Sequence, residues 1–342
     1  MKSGNYPSFK PSLPLLMAAA RDSTAQEAVQ LVTDIRRVGV GALGSPQVRD
    51  DAAFVRGQYC DVLVPSMEFV LERLEGAGFP PPYALYIAEA LVCVHDDTAG
   101  SASVARATFR LIYELTDHLR TLPELNSHPQ RDILHKQIQA IHKLCNDYMF
   151  ASAPTVGPAR HLLDRSLLPE SDVPDELIFI RVLQTHEIVF ATAAVLGSRA
   201  LQNIAHSRAA DAVLDLDAMV RVESLFPALL RLLKPMSVDT WCSAIRPLVL
   251  EPSAIQSRHY HVLKGQLGGK DQPGEIARTL THPRFPAWEQ HYVPLCRALA
   301  AKARHLLQRW ERMHLQIARK YTPGGSLGVS YLAAQIEGGE AG

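Results

Sequence analysis

Apolar residues recur at helical spacing along almost the whole chain, and that period points to one architecture. Residues 25–40, 61–76, 83–95, 104–122, 132–150, 178–203, 211–233 and 293–321 each carry apolar side chains at i, i+3, i+4 and i+7. That spacing collects them on one face of a helix. Period-two runs of β-branched residues, the mark of a half-buried strand, are almost absent. Prolines at 80–82, 154, 158 and 235 fall between the helical stretches. They read as breaks, because proline lacks the N–H and clashes with the preceding turn. The expected fold is all-α, a helical bundle. The longest irregular stretch, 265–290, is rich in Gly and Pro, and loops of that length often carry function. A soft boundary separates a region 1–160 from a region 161–342, and one continuous domain fits the same periods.

Composition removes several classes of function. Lys plus Arg number 35 and Asp plus Glu number 35, so the chain has no net charge. A nucleic-acid binder or a binder of anionic membranes needs a basic excess, so neither partner is expected. No window approaches 18 apolar residues free of charge, which argues against a membrane span. The first residues carry prolines inside a short apolar run, unlike a signal peptide. The five cysteines, Cys60, Cys93, Cys145, Cys242 and Cys296, are scattered without a CxxC. A disulfide framework or zinc ribbon is not expected, and a reduced, cytoplasmic setting is.

Four groups of residues deserve a chemical reading. Asp96 and Asp97 end an apolar stretch, and adjacent carboxylates can hold Mg²⁺. The pair is similar to the first acidic motif of terpene cyclases, but Asn146-Asp147-Tyr148 lacks the rest of their second motif. It reads as a solvated acidic helix end. His135 and His142 stand two turns apart, too far to grip one ion. Residues Gln256 to His261 mix hydroxyl, basic and aromatic groups, with Ser257 and His261 on one face, as suits the wall of a polar-headed pocket or a plain helix surface. The fourth group is the most specific. Leu307, Trp310, His314, Ile317 and Tyr321 form one stripe, which puts an imidazole in the middle of an apolar face. Such a histidine needs partners for its nitrogens, either other side chains or a metal such as haem iron. Pro323, Gly324, Gly325, Ser326 and Gly328 follow, a loop that permits close backbone approach to a ligand.

These C-terminal residues resemble the tryptophan 2,3-dioxygenase and indoleamine 2,3-dioxygenase superfamily. In that family the haem-ligating histidine lies four residues after a tryptophan, as His314 follows Trp310. A loop of the type TGGSSGVxYL comes next, matched by PGGSLGVSYL at 323–332. Pro235 to Trp241 and Leu248 to His261 resemble a second family segment, and residues 185–190, THEIVF, echo a third. The likeness spans about 178–335. The family arginine that holds the substrate carboxylate falls on His261, and the loop threonine falls on Pro323. The distal position falls on Leu183, with His186 one turn away. The chain is therefore more similar to the divergent branch that contains the haem enzyme of pyrrolnitrin biosynthesis.

The resemblance implies b-type haem in the 161–342 region, with His314 as axial ligand of the iron and O₂ as co-substrate. It implies a small aromatic substrate, tryptophan or an indole derivative, held by Tyr321, Gly325, Ser326, Ser257 and His261. The distal pocket would include Leu183 and His186. A haem-dependent hydroxylase of a tyrosine-like ring and a non-catalytic haem-binding bundle remain alternatives. The electron donor and any homo-oligomer are left open by the residues. With His261 and Pro323 in place of the family pair, unmodified L-tryptophan is not expected to be converted efficiently to N-formylkynurenine.

Overall fold

The computed structural model describes residues 101–149, 171–248, 257–269, 272–281, 285–322, 329–330, 333 and 336. The helices expected at 25–40, 61–76 and 83–95 lie outside the described residues, as do Asp96, Asp97, Gly325, Ser326 and the rest of the 323–328 loop. About 83% of the described part is helical and none of it lies in a strand, which makes the fold all-α.

Besides single turns such as Val238–Thr240 and short 3-10 and π-helical pieces, eight α-helices of five residues or more follow one another among the described residues. They are α1 (Ser101–Thr121), α2 (Arg131–Met149), α3 (Pro174–Ala205), α4 (Ala209–Glu223), α5 (Phe226–Leu230), α6 (Arg258–Leu267), α7 (Glu275–Thr279) and α8 (Val293–Tyr321). The expected run 211–233 divides at Ser224 and Leu225, and Pro227 then opens the short α5. The irregular stretch 265–290 contains α7, which a period count could not find in five residues.

The central element is α3. Its start is fixed by Pro174 in the first turn and by two acidic side chains that serve the N-terminus. Glu176 accepts the backbone N–H of Ser171 at 2.7 Å and also the Ser171 hydroxyl. Asp175 pairs with His128 Nε2 at 2.6 Å and accepts the Ser237 N–H at 2.8 Å, which ties the helix start to two distant loops. From Asp175 to Ala194 every residue of α3 is buried. It is the one described helix long and apolar enough to cross a membrane, and its apolar length is instead enclosed by the protein.

Around it pack α1, α4, α5, α6 and α7, while α8 packs on α4 and α5, and α2 packs on α1. A single hydrophobic core runs from Val104 to Tyr321, so helices on both sides of residue 160 share it. The turn between α3 and α4 passes through Ser207 at φ 59°, a left-handed residue that lets the two helices fold back on each other. Cys145, Cys242 and Cys296 are free thiols. His142 stacks on Tyr113 at 3.9 Å and meets Thr116 Oγ1 at 3.1 Å, so its role is local packing.

Gly197 sets the approach of α3 to α6. A Cβ there would overlap Gln266 Oε1. The Gln266 amide donates to Ala194 O and Ser198 Oγ, each at 2.9 Å. Gly197→Ala therefore pushes a buried amide off two acceptors, at about 1–3 kcal/mol. The helix gain of alanine over glycine, about 0.5–1 kcal/mol, offsets part of it. The expected net result is a loss near 1 kcal/mol in chemical unfolding, and removal of the amide in Gly197→Ala/Gln266→Ala should recover some of it. A double variant less stable than the sum of the singles would contradict this packing.

Candidate functional site

The α8 stripe is bent slightly from the sequence expectation. Leu307, Trp310 and Tyr321 are buried, while His314 and Ile317 keep part of their surface exposed. The reason is the position of Trp310, which fills the junction of four helices. Its ring meets Phe190 edge-on at 4.9 Å, Tyr260 at 5.6 Å, Phe226 at 5.7 Å and His186 at 6.0 Å. It also stacks on His314 at 4.9 Å and 27°. Trp310 and His314 lie one turn apart on α8, so the indole fixes the imidazole plane.

His186 stands one turn before Phe190 on α3. Its Nδ1–H donates to Val182 O at 2.7 Å, a bond within its own helix. That assignment leaves Nε2 as a lone-pair acceptor. Nε2 is enclosed and has no hydrogen-bond partner among the described residues. The same holds for His314 Nδ1 and Trp310 Nε1. Burial pushes the His186 pKa down to about 4. Burial, and then the neighbouring His186, push that of His314 down to about 3. Both imidazoles are neutral at neutral pH, the form that ligates a metal.

A buried acid ends α4. Glu223 closes α4 three residues before Phe226, and neither of its carboxyl oxygens has a partner among the described residues. Burial pushes its pKa well above the ordinary carboxyl value. Buried polar atoms are nearly always paired, and unpaired ones that cluster call for an explanation.

Other polar contacts lock the surrounding helices. Tyr260 donates to Glu311 Oε1 at 2.6 Å, and Lys264 Nζ reaches the same oxygen at 2.8 Å. His259 Nδ1 meets Glu187 Oε1 at 2.6 Å. These contacts join α6 to α8 and to α3.

The expected site residues are distributed unevenly. His314 and His186 come together beside Trp310, with Leu183 buried one turn before His186. Ser257 is the N-cap of α6, and its Oγ accepts the Tyr260 N–H at 3.1 Å. His261 is exposed on α6, its ring edge-on to Tyr260 at 5.3 Å. The Tyr321 hydroxyl is shared between Leu233 O at 2.8 Å and Met236 O at 2.9 Å, which pins the end of α8. Burial pushes its pKa up to about 12. Phe226 and Glu223 were not singled out by sequence, while Phe190 and Tyr260 fall inside the 185–190 and 256–261 stretches without a role of their own. Glu223 left a trace there, because it interrupts the apolar stripe Leu216, Met219, Phe226.

No three His, Cys, Asp or Glu side chains gather to hold a metal ion among the described residues. A single imidazole holds iron firmly only when a macrocycle supplies the other donors. His314 could offer one such nitrogen.

The fold and this cluster define an all-α bundle with a buried and a half-buried imidazole, both neutral, set in an aromatic junction. No family model, no curated protein and no solved structure matches the chain.

Proposed function

We propose that this protein is a haem-dependent oxidative enzyme that uses O₂ to oxygenate or rearrange tryptophan or another indole. The observation that supports it is the neutral, half-buried His314 whose enclosed Nδ1 has no partner among the described residues. It stands on the helix and after the tryptophan that the sequence resemblance points to.

Haem, when bound, supplies the iron at which O₂ is activated. The chain's own residues do the rest. His314 offers a neutral lone pair, and the stacked Trp310 restricts its rotation. Phe190, Phe226 and Tyr260 keep the junction dry, which strengthens each polar contact inside it. His186, with Nδ1 tied to Val182, presents Nε2 as a hydrogen-bond acceptor for an N–H or a water. With a pKa near 4 it accepts a hydrogen bond more readily than it takes a full proton.

The test is reconstitution of the purified chain with haem, followed by absorption spectra with and without indoles and phenols. The expected result is a Soret band that shifts on adding an indole, with O₂ uptake when a reductant is present. L-Tryptophan should not yield N-formylkynurenine at about 1 per second or faster. A chain that takes up no haem would overturn the proposal.

A further inference from the structure

A cavity that the haem reading leaves unused lies along the first half of α8. It holds about 290 Å³ between the end of α6, α7 and α8. That is about ten water-sized volumes, at the small end of ligand sites. Leu267, Ile276, Leu280 and Ala300 line it, and each is buried, so its floor is apolar. Arg304, which also lines it, stands ten residues before His314 on α8. That is about 15 Å along the helix axis, so the cavity is not the aromatic junction.

The walls are tied together. Gly268 and Pro273 pair across the turn from α6 to α7, with Gly268 at φ 86°. A Cβ on Gly274 would lie 2.2 Å from Leu267 C, so α7 starts directly against the end of α6. Gln266 is buried in the wall, its amide nitrogen spent on Ala194 O and Ser198 Oγ and its carbonyl oxygen lying against Gly197. Arg297 Nη2 donates to Leu280 O at 3.1 Å, which joins α8 to the end of α7. That bond uses one of the five N–H groups of the guanidinium. Neither Arg297 nor Arg304 meets a carboxylate, and no acid lines the cavity, among the described residues. An apolar floor thus stands beside two cations that nothing neutralises, with no carboxylate to receive an ammonium.

We propose that this cavity binds a small monocarboxylate with an apolar body of about eight carbons. The carboxylate sits on the guanidiniums of Arg297 and Arg304, and the body covers the Leu280 and Ala300 floor. The fork of a guanidinium matches the two oxygens of a carboxylate, and the bond is strengthened by charge on both sides. The volume also favours this head. A carboxylate is compact and leaves most of the space to carbon, whereas a phosphate ester would fill much of it with oxygen. Arg297 is held in place by Leu280 O before the ligand arrives, so little side-chain freedom is lost there on binding. The site does not depend on haem.

The test is titration calorimetry of the full chain, before haem is added, with octanoate, octan-1-ol and octylamine, which share a tail and differ in the head. Octanoate is expected to bind about tenfold or more tightly than the other two. Arg304→Gln removes a side chain with no hydrogen-bond partner among the described residues, so the fold should be unaffected. It should weaken octanoate about threefold or more and leave octan-1-ol unchanged. Ala301→Trp fills the cavity from its exposed edge and should weaken octanoate and octan-1-ol alike. Both variants should keep the parent's melting temperature. Octanoate bound no more tightly than octan-1-ol, or octanoate binding unchanged in Arg304→Gln and in Ala301→Trp, would overturn the assignment. A chain that takes up no haem strikes the proposed function and leaves this site standing, whereas a haem-binding chain with no preference for octanoate strikes this site alone.

Discussion

Trp310→Ala is expected to lower the stability of the haem-free chain by about 3–5 kcal/mol, the range for removing a fully buried large aromatic residue. Trp310 has no exposed surface and touches rings from α3, α5 and α6 as well as His314 on its own helix. Four helices would border the cavity, and a junction of that kind cannot collapse from one side alone. Trp310→Phe keeps much of the volume and removes the unpaired indole N–H, so its loss should be well under half as large. Urea unfolding followed by circular dichroism checks both. A loss below about 1 kcal/mol for the alanine variant would show that Trp310 is not the packing centre.

The second large effect is loss of stability in mild acid. His186 and His314 have folded pKa values of about 4 and about 3, against an ordinary 6.5. Below pH 6.5 the unfolded chain takes up protons that the folded chain refuses, so stability falls as pH falls. Each imidazole contributes up to about 1.4 kcal/mol per pH unit until its folded pKa is reached. Glu223 acts in the opposite direction, because its folded pKa is raised. It favours the folded chain as pH falls from that raised value toward the ordinary 4.5. Between pH 6.5 and 4.5 the two histidines therefore outweigh one acid. His186→Phe should flatten the profile in this window and Glu223→Gln should steepen it. Unfolding free energies of the haem-free parent and both variants at pH 7.5, 6 and 5 decide this. An unchanged slope in His186→Phe would mean that its ring is protonated in the fold.

Long periods were legible in the sequence. The stretches 104–122, 132–150, 178–203 and 293–321 correspond to α1, α2, α3 and α8, with bounds at Ser101–Thr121, Arg131–Met149, Pro174–Ala205 and Val293–Tyr321. The short α7 and the break before α5 were not, because a few residues show no period and the break depends on packing against α8. At the site, His314 and Trp310 could be paired by spacing, since both lie on one helix. His186 could be placed only by resemblance, because its neighbour Phe226 comes from another element. The roles of Ser257 and Tyr321 were hidden for the same reason. A cap and a tether to Leu233 and Met236 are made by backbone groups that no side-chain pattern announces. Glu223 shows the converse case. A charged residue on an apolar stripe is visible in the sequence, but its lack of a partner becomes visible only once the surrounding helices are in place.

Haem titration of the parent chain and of His314→Gly, followed at the Soret band, tests the central claim most directly. The parent is expected to bind one haem per chain. The glycine variant should bind none or give a weak, altered band, and added free imidazole should restore the parent spectrum by entering the space left by the ring. A His314→Gly variant with full haem content and an unchanged Soret band would contradict the account.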